Sequence, residues 1–243
     1  YRDRPADHSR VNDAERAWIE QDGPLLAHGA TPWRTMLTSG NLIAICAMYF
    51  AFGYGLYFYF TWLPTYLIRE LHFSPLAGGL FASLPFVLAG AADLSGGRLT
   101  DQLARHRGLR VARSGLGCCA FVTCGLLVVS STLPMPPVGK ALLLAFALAS
   151  ADLALAACWA VCLDVGASHA GVVTGFMNTA GNLGGMIAPI VTGFAVERWE
   201  SWAFAFYVTG LVYIGGGLAW LAIDPRRSIG LPRNTQCSMP NAQ

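Results

Sequence analysis

Residues 40–223 form one long apolar block, and no other feature constrains this 243-residue chain as strongly. A helix that crosses the hydrocarbon of a bilayer needs about 20 mostly apolar residues. The block divides into six runs of that size, at roughly 40–67, 75–96, 114–133, 140–163, 171–195 and 202–223. It holds 15 of the chain's 30 charged residues, and six of those crowd into 98–113. The breaks are chemically legible. Ser74-Pro75 reads as a helix start, with Ser as N-cap and Pro at the first helical position. Pro134, Pro136 and Pro137 end the third run, and Asp224-Pro225 ends the sixth. The pattern predicts an all-α membrane protein, a bundle of six transmembrane helices.

Composition narrows the function. Charged residues make up 12% of the chain, half of the roughly 25% usual in soluble domains. With 27 glycines, this excludes a soluble enzyme, a disordered chain and a nucleic-acid binder. A net charge of +2 implies no electrostatic partner. Six of the seven cysteines sit inside apolar runs and none forms a C-x-x-C, so they read as small helix residues, not as metal ligands or disulfide partners. No metal site is expected. Intramembrane proteolysis finds no support either. No G-x-S-G occurs, and none of the five His residues falls mid-membrane. Asp93 and Asp152 follow Ala, outside any Tyr-Asp or Gly-x-Gly-Asp. The chain is not expected to be an enzyme or to need a cofactor.

Three segments follow. Residues 1–39 are a polar linker with eleven charged residues, 40–223 the membrane domain, and 224–243 a tail. Within the linker, SRVNDAERAWIE (9–20) predicts a short surface helix, with Asn12 as N-cap and Glu15 completing a capping box. Placing both ends of the segment in the cytoplasm puts 13 basic residues inside and three (Arg69, Lys140, Arg198) outside. Basic loop residues favour the cytoplasmic side, so the 98–113 loop is expected there too. The chain starts at Tyr1, in a polar segment with no signal peptide. A polar linker followed by six helices is the layout of the second half of a twelve-helix transporter, so the chain is read as a fragment or as a natural half-size product.

Several motifs carry a family resemblance. Tyr1-Arg2-Asp3-Arg4-Pro5, Val11-Asn12 and Glu15-Arg16 resemble the central linker of the anion:cation symporter family of the major facilitator superfamily. Phe60-Thr61-Trp62-Leu63-Pro64-Thr65-Tyr66-Leu67 resembles the end of its seventh helix. Gly97-Arg98-Leu99-Thr100-Asp101, with Arg105, Gly108 and Arg110, resembles the superfamily's G-x-L-x-D loop, although Gln102 stands where a basic residue is usual. Gly175-Phe176-Met177-Asn178, Gly181-Asn182-Leu183-Gly184-Gly185 and Pro189 resemble its eleventh helix. The resemblance implies the C-terminal half of a secondary transporter in a cell membrane, expected to be a bacterial inner membrane. Its cargo would be a small organic anion, a sugar acid or other carboxylate, moved with a proton or sodium ion. The missing N-terminal six-helix half and the lipid bilayer would be its partners. For Gly97, Leu99 and Asp101 the resemblance implies a gate: Asp101 meets a helix N-terminus of the other half. The alternatives are a carrier of a neutral solute and a non-transporting half-size membrane protein.

Binding residues are expected on helix faces. Thr174, Asn178, Asn182 and Gly185 fall on one face of the fifth run. Gly171-x-x-x-Gly175 and Gly181-x-x-x-Gly185 would let helices approach closely. A mid-membrane amide is costly unless hydrogen-bonded, so Asn178 and Asn182 read either as interhelical glue or as substrate contacts. Tyr54, Tyr57 and Thr61 share a face of the first run, and Trp62 and Tyr66 lie near its outer end. Asp152 falls near the bilayer centre, where a carboxylate is expensive. It reads as a proton-relay group or as a neutral acid bonded to a neighbouring helix such as that of Asn178. Trp159, seven residues on, is expected on its face and joins the substrate-binding set. Asp93 and Asp164 read as structural or gating groups. No Lys or Arg occurs inside the six runs away from their ends, so an anion's counter-charge is expected from the missing half.

Overall fold

The computed structural model describes residues 10–20 and 31–229. The linker motif at Tyr1–Pro5 and the tail beyond 229 lie outside the described residues. In the linker, α1 (Asp13–Glu20) starts where expected: Asn12 Oδ1 accepts the Glu15 N–H at 2.8 Å.

The membrane unit is mostly helical, with no strand among its described residues. A short α2 (Trp33–Leu37) precedes α3 (Gly40–Thr61), and α4 (Leu63–Thr65) runs into a π-helical turn, Tyr66–Glu70. Then come α5 (Pro75–Arg107), a second π turn (Val111–Gly115), α6 (Leu116–Ser130), α7 (Pro137–Asp152), α8 (Leu155–Gly166), α9 (Ala170–Trp199) and α10 (Trp202–Ala222). The Ser74 hydroxyl accepts the Ala77 N–H at 3.3 Å and Pro75 opens α5, as the sequence predicts. Ser201 caps α10 in the same way.

Five stretches are long and apolar enough to cross a membrane, and one of them, Pro137–Trp199, has 63 residues. Straight, it would be about 95 Å long, against a hydrocarbon core of about 30 Å. Instead it doubles back. Ala167 takes φ 46°, a 3-10 turn covers Ala167–His169, and α8 and α9 pack on each other. Contacts pair symmetrically about that turn: Cys162 Sγ lies 3.3 Å from Met177 Sδ, and Gly166 lies against Val173. The bundle therefore makes six passes. One end of it gathers both chain ends of the domain. The Asn41 side chain bonds the Asp224 N–H and the Asp224 and Arg227 carbonyls, each at 2.9 Å. The Ser114 hydroxyl donates to Ile223 O, and the Ile229 N–H to Val165 O.

The predicted second run is corrected. Residues 98–107 are helical, the last turns of α5, and only the short stretch at Gly108–Arg110 separates them from the next element. Residues 98–107 contain no Gly or Pro, so the helix continues through its polar end to Gly108, which takes φ 83°. The fourth run is also more than one helix, broken at Leu153-Ala154.

α3 is the centre of the bundle, packed on α9 and α10. Its seam with α9 is set by glycine: the Gly53 Cα rests on the Gly181 carbonyl, and Gly184 rests on the Phe50 carbonyl. A methyl group on Gly53 or Gly184 would collide with backbone. Gly171 and Gly175 face open space, so the first expected G-x-x-x-G forms no helix contact here.

Candidate functional site

Where α3 and α9 meet, a polar group reaches the surface of the bundle. Tyr57 is 38% exposed, and its hydroxyl points to Asn182 Oδ1 at 3.5 Å. Asn182 Nδ2 donates to the Asn178 carbonyl at 2.9 Å and lies 3.5 Å from Asn178 Oδ1. Asn178 and Asn182 are both exposed, Thr174 is half-buried one turn earlier, and Gly185 lies beneath the Tyr57 ring. Thr61 donates its hydroxyl back to the Tyr57 carbonyl at 2.7 Å. The structure thus brings Tyr57, Asn178 and Asn182 together. Asn182 is committed to these contacts, whereas the Asn178 Nδ2 has no partner among the described residues. The cluster can donate and accept hydrogen bonds, but it carries no charge.

Tyr54 lies on the same helix face as Tyr57 but is enclosed, not exposed as a substrate contact would be. It is 2% exposed, its backbone lies over Gly184 and its ring lies beside Phe50. The glycine seam draws α3 so close to α9 that this position is enclosed, while Tyr57, nearly a turn on, escapes. Tyr66 is likewise internal, packed on Trp202 and Phe206. Trp62 donates its indole N–H to the Pro189 carbonyl at 3.2 Å, tying the end of α3 to α9.

Asp152 and Trp159 do not share a face. Asp152 is buried, and Trp159 is 43% exposed with its ring edge-on to Tyr49. A seven-residue register holds only along a continuous helix, and the break at Leu153-Ala154 intervenes. Asp152 makes no bond to the helix of Asn178: its Oδ2 is enclosed and has no hydrogen-bond partner.

In the gate motif, Gly97 faces Ala156 with room for a methyl group between them, Leu99 is half-buried and Asp101 is exposed. The close approach belongs to Gly96, whose Cα rests on the Leu153 carbonyl. The strongest polar contact at this end escaped the sequence reading. Arg113 Nε bonds Asp164 Oδ2 at 3.0 Å, and Arg113 NH1 bonds the Thr100 hydroxyl at 3.0 Å. Thr100 in turn donates to the Ala112 carbonyl. This clamp joins α5, the π turn before α6, and α8. Its one sequence signal is an acid and a base, each at the polar edge of an apolar run. Cys158 serves packing: its Sγ lies 3.8 Å from Met48 Sδ.

Comparison with known proteins agrees with this architecture. Residues 1–189 match the family model of the Major Facilitator Superfamily. A probable sulfoacetate transporter of Cupriavidus necator is 31% identical over 236 residues, covering 96% of this chain and 54% of its own length. A probable galactarate/D-glucarate transporter of Bacillus subtilis is 30% identical over 247 residues, with the same two coverages. A hexuronate transporter of Bacillus subtilis is 28% identical over 196 residues, covering 79% of this chain and 46% of its own length. The chain spans about half the length of the curated relatives it matches.

Proposed function

Since this chain belongs to the major facilitator superfamily, we propose that it is the C-terminal six-helix half of a secondary transporter for an organic anion, a sugar acid or related carboxylate. One observation carries the reading: the Tyr57–Asn182–Asn178 group, uncharged and exposed, on the surface of a membrane bundle whose relatives are named for anions. In this proposal Asn178 and Asn182 bond hydroxyls or carboxylate oxygens of the cargo, with Tyr57, Thr174 and Trp159 beside them. The N-terminal half supplies the cationic group that neutralises the anion, because this half carries Lys and Arg only toward the ends of its spans. Uphill movement is driven by symport of a proton or a sodium ion. The end where Asn41 meets Asp224 faces the cytoplasm of a cell membrane. Asp101, exposed at that end, closes the gate against a helix N-terminus of the other half, a contact that the helix dipole favours.

Uptake by the full-length carrier across labelled sulfonates, sugar acids and aromatic acids, with and without a proton uncoupler, tests the reading. Uptake of at least one acid, weakened in Asn178→Ala without loss of folded protein, is the expected result. Losing a hydrogen bond in a dry site costs about 1–3 kcal/mol, roughly 5- to 150-fold in affinity. Normal uptake by Asn178→Ala overturns the site, and no uptake of any acid overturns the cargo class. The uncharged cluster favours one other reading, a neutral solute, and the same panel extended to free sugars decides it.

A further inference from the structure

Asp152 is the one buried acid among the described residues, 8% exposed, with an enclosed Oδ2 that lacks any hydrogen-bond partner. A carboxylate inside a membrane is retained when it is paired, hydrogen-bonded or carrying a proton. The titratable groups within electrostatic range of it are Asp93 of α5, Tyr49 and Tyr59 of α3, Cys124 of α6, Cys158 of α8 and Tyr213 of α10. None is cationic. Tyr59 gives its hydroxyl to the Leu144 carbonyl, and the Tyr213 hydroxyl is itself enclosed without a partner. Asp93 is the second carboxyl of this group, so no cation is present to pair with the acid.

The backbone around the pair is discontinuous. The Leu153 N–H bonds the Ala149 carbonyl, the Ala154 N–H tightens onto Ala151, and α8 resumes with Cys158 bonded to Ala154. The carbonyl left over at Leu153 rests on the Gly96 Cα, nearly one helical turn beyond Asp93. A shift at this break therefore moves the two carboxyls relative to each other. Carriers place their coupling sites at such interrupted helices near the midplane. Tyr49 links the pair to the exposed surface: it lies within range of Asp152, and its ring meets both Trp159 and Gly181.

We propose that Asp152, with Asp93 beside it at the α7–α8 break, is a proton-carrying site of the transporter. The Asp152 carboxylate takes up one proton from water on one side of the membrane and releases it on the other. No other bond changes. The inference rests on the transport reading for its purpose, but not for its existence.

The experiment uses the full-length carrier in proteoliposomes and reads three things: accumulation of labelled acid on a pH gradient, counterflow of acid for acid, and the infrared stretch of a protonated carboxyl as pH is varied. One pH unit sustains about tenfold accumulation per coupled proton. In Asp152→Asn that accumulation is expected to vanish while counterflow persists, and a titrating carboxyl band present in the unsubstituted carrier is expected to disappear. Asp152→Glu keeps a carboxyl one methylene longer and is expected to accumulate with a displaced pH profile. Accumulation by Asp152→Asn overturns the proposal, as does joint loss of accumulation and counterflow in folded Asp152→Asn. An unchanged pH profile in Asp152→Glu also overturns it. So does accumulation on a sodium gradient, independent of pH and lost in Asp152→Asn. If no acid is moved but the Asp152 band titrates, the transport reading falls and the proton site stands. If acid is moved and no such band exists, the reverse holds.

Discussion

Asp164 and Asp152 sit twelve residues apart on the two halves of one broken helix, and they are treated oppositely. Asp164, near the end of α8, is gripped by Arg113, which also holds Thr100. Asp152, at the end of α7, is more deeply buried, and its Oδ2 has no partner. The first arrangement has one satisfied state and fastens three elements together. The second leaves a buried carboxyl oxygen without a partner, which is the feature that the proton-site proposal rests on. Burial alone thus does not separate the two acids; the presence or absence of a partner does.

The comparison can be broken or sharpened in several ways. The largest effect is all-or-none. Cysteines introduced at 72, 106 and 136 in a cysteine-free background should split, with 72 and 136 labelled from outside and 106 protected. Labelling of 106 from outside would put the Asp164 clamp on the external face and reverse the orientation. Next is Arg113→Ala, which leaves Asp164 facing a half-buried, unneutralised site and should cost about 3 kcal/mol. A lowered melting temperature in detergent reads it, and adding Asp164→Asn should restore part of the loss. No restoration would mean that the pair fastens nothing. Gly96→Ala drives a methyl group into the Leu153 carbonyl beside Asp152, and overpacking of this kind costs about 1–3 kcal/mol. Its melting temperature should fall, and an unchanged value would show that the break yields without cost. The smallest effect is Gly175→Ala, where nothing lies within 4 Å. Its thermal stability should stay within about 0.5 kcal/mol of the unsubstituted chain.

Some of this was legible before any coordinate. Ser74-Pro75 and Asn12…Glu15 marked helix starts that the structure keeps. Six apolar runs gave the six passes, even where the turn at Ala167 is so short that α8 and α9 read as one stretch. The Asn178–Asn182 spacing put two amides on one exposed face. Other expectations failed for identifiable reasons. Tyr54 shares a helix face with Tyr57, yet the glycine seam encloses one and spares the other. Trp159 lost its register with Asp152 at a break that no Pro or Gly announces.

The sequence by itself determined the helices, their ends and the number of crossings, because each depends on neighbours along the chain: a run of apolar side chains, a capping hydroxyl, a proline. Only the tertiary structure decided which polar groups meet. Arg113 and Asp164 are 51 positions apart, and Asn41 and Asp224 are 183 apart. Helices that are apolar all round, such as α3, carry no polar side to say which face turns inward. That choice is made by backbone contact at Gly53, Gly96, Gly181 and Gly184, where the fit of one helix against another leaves Asp164 paired and Asp152 alone.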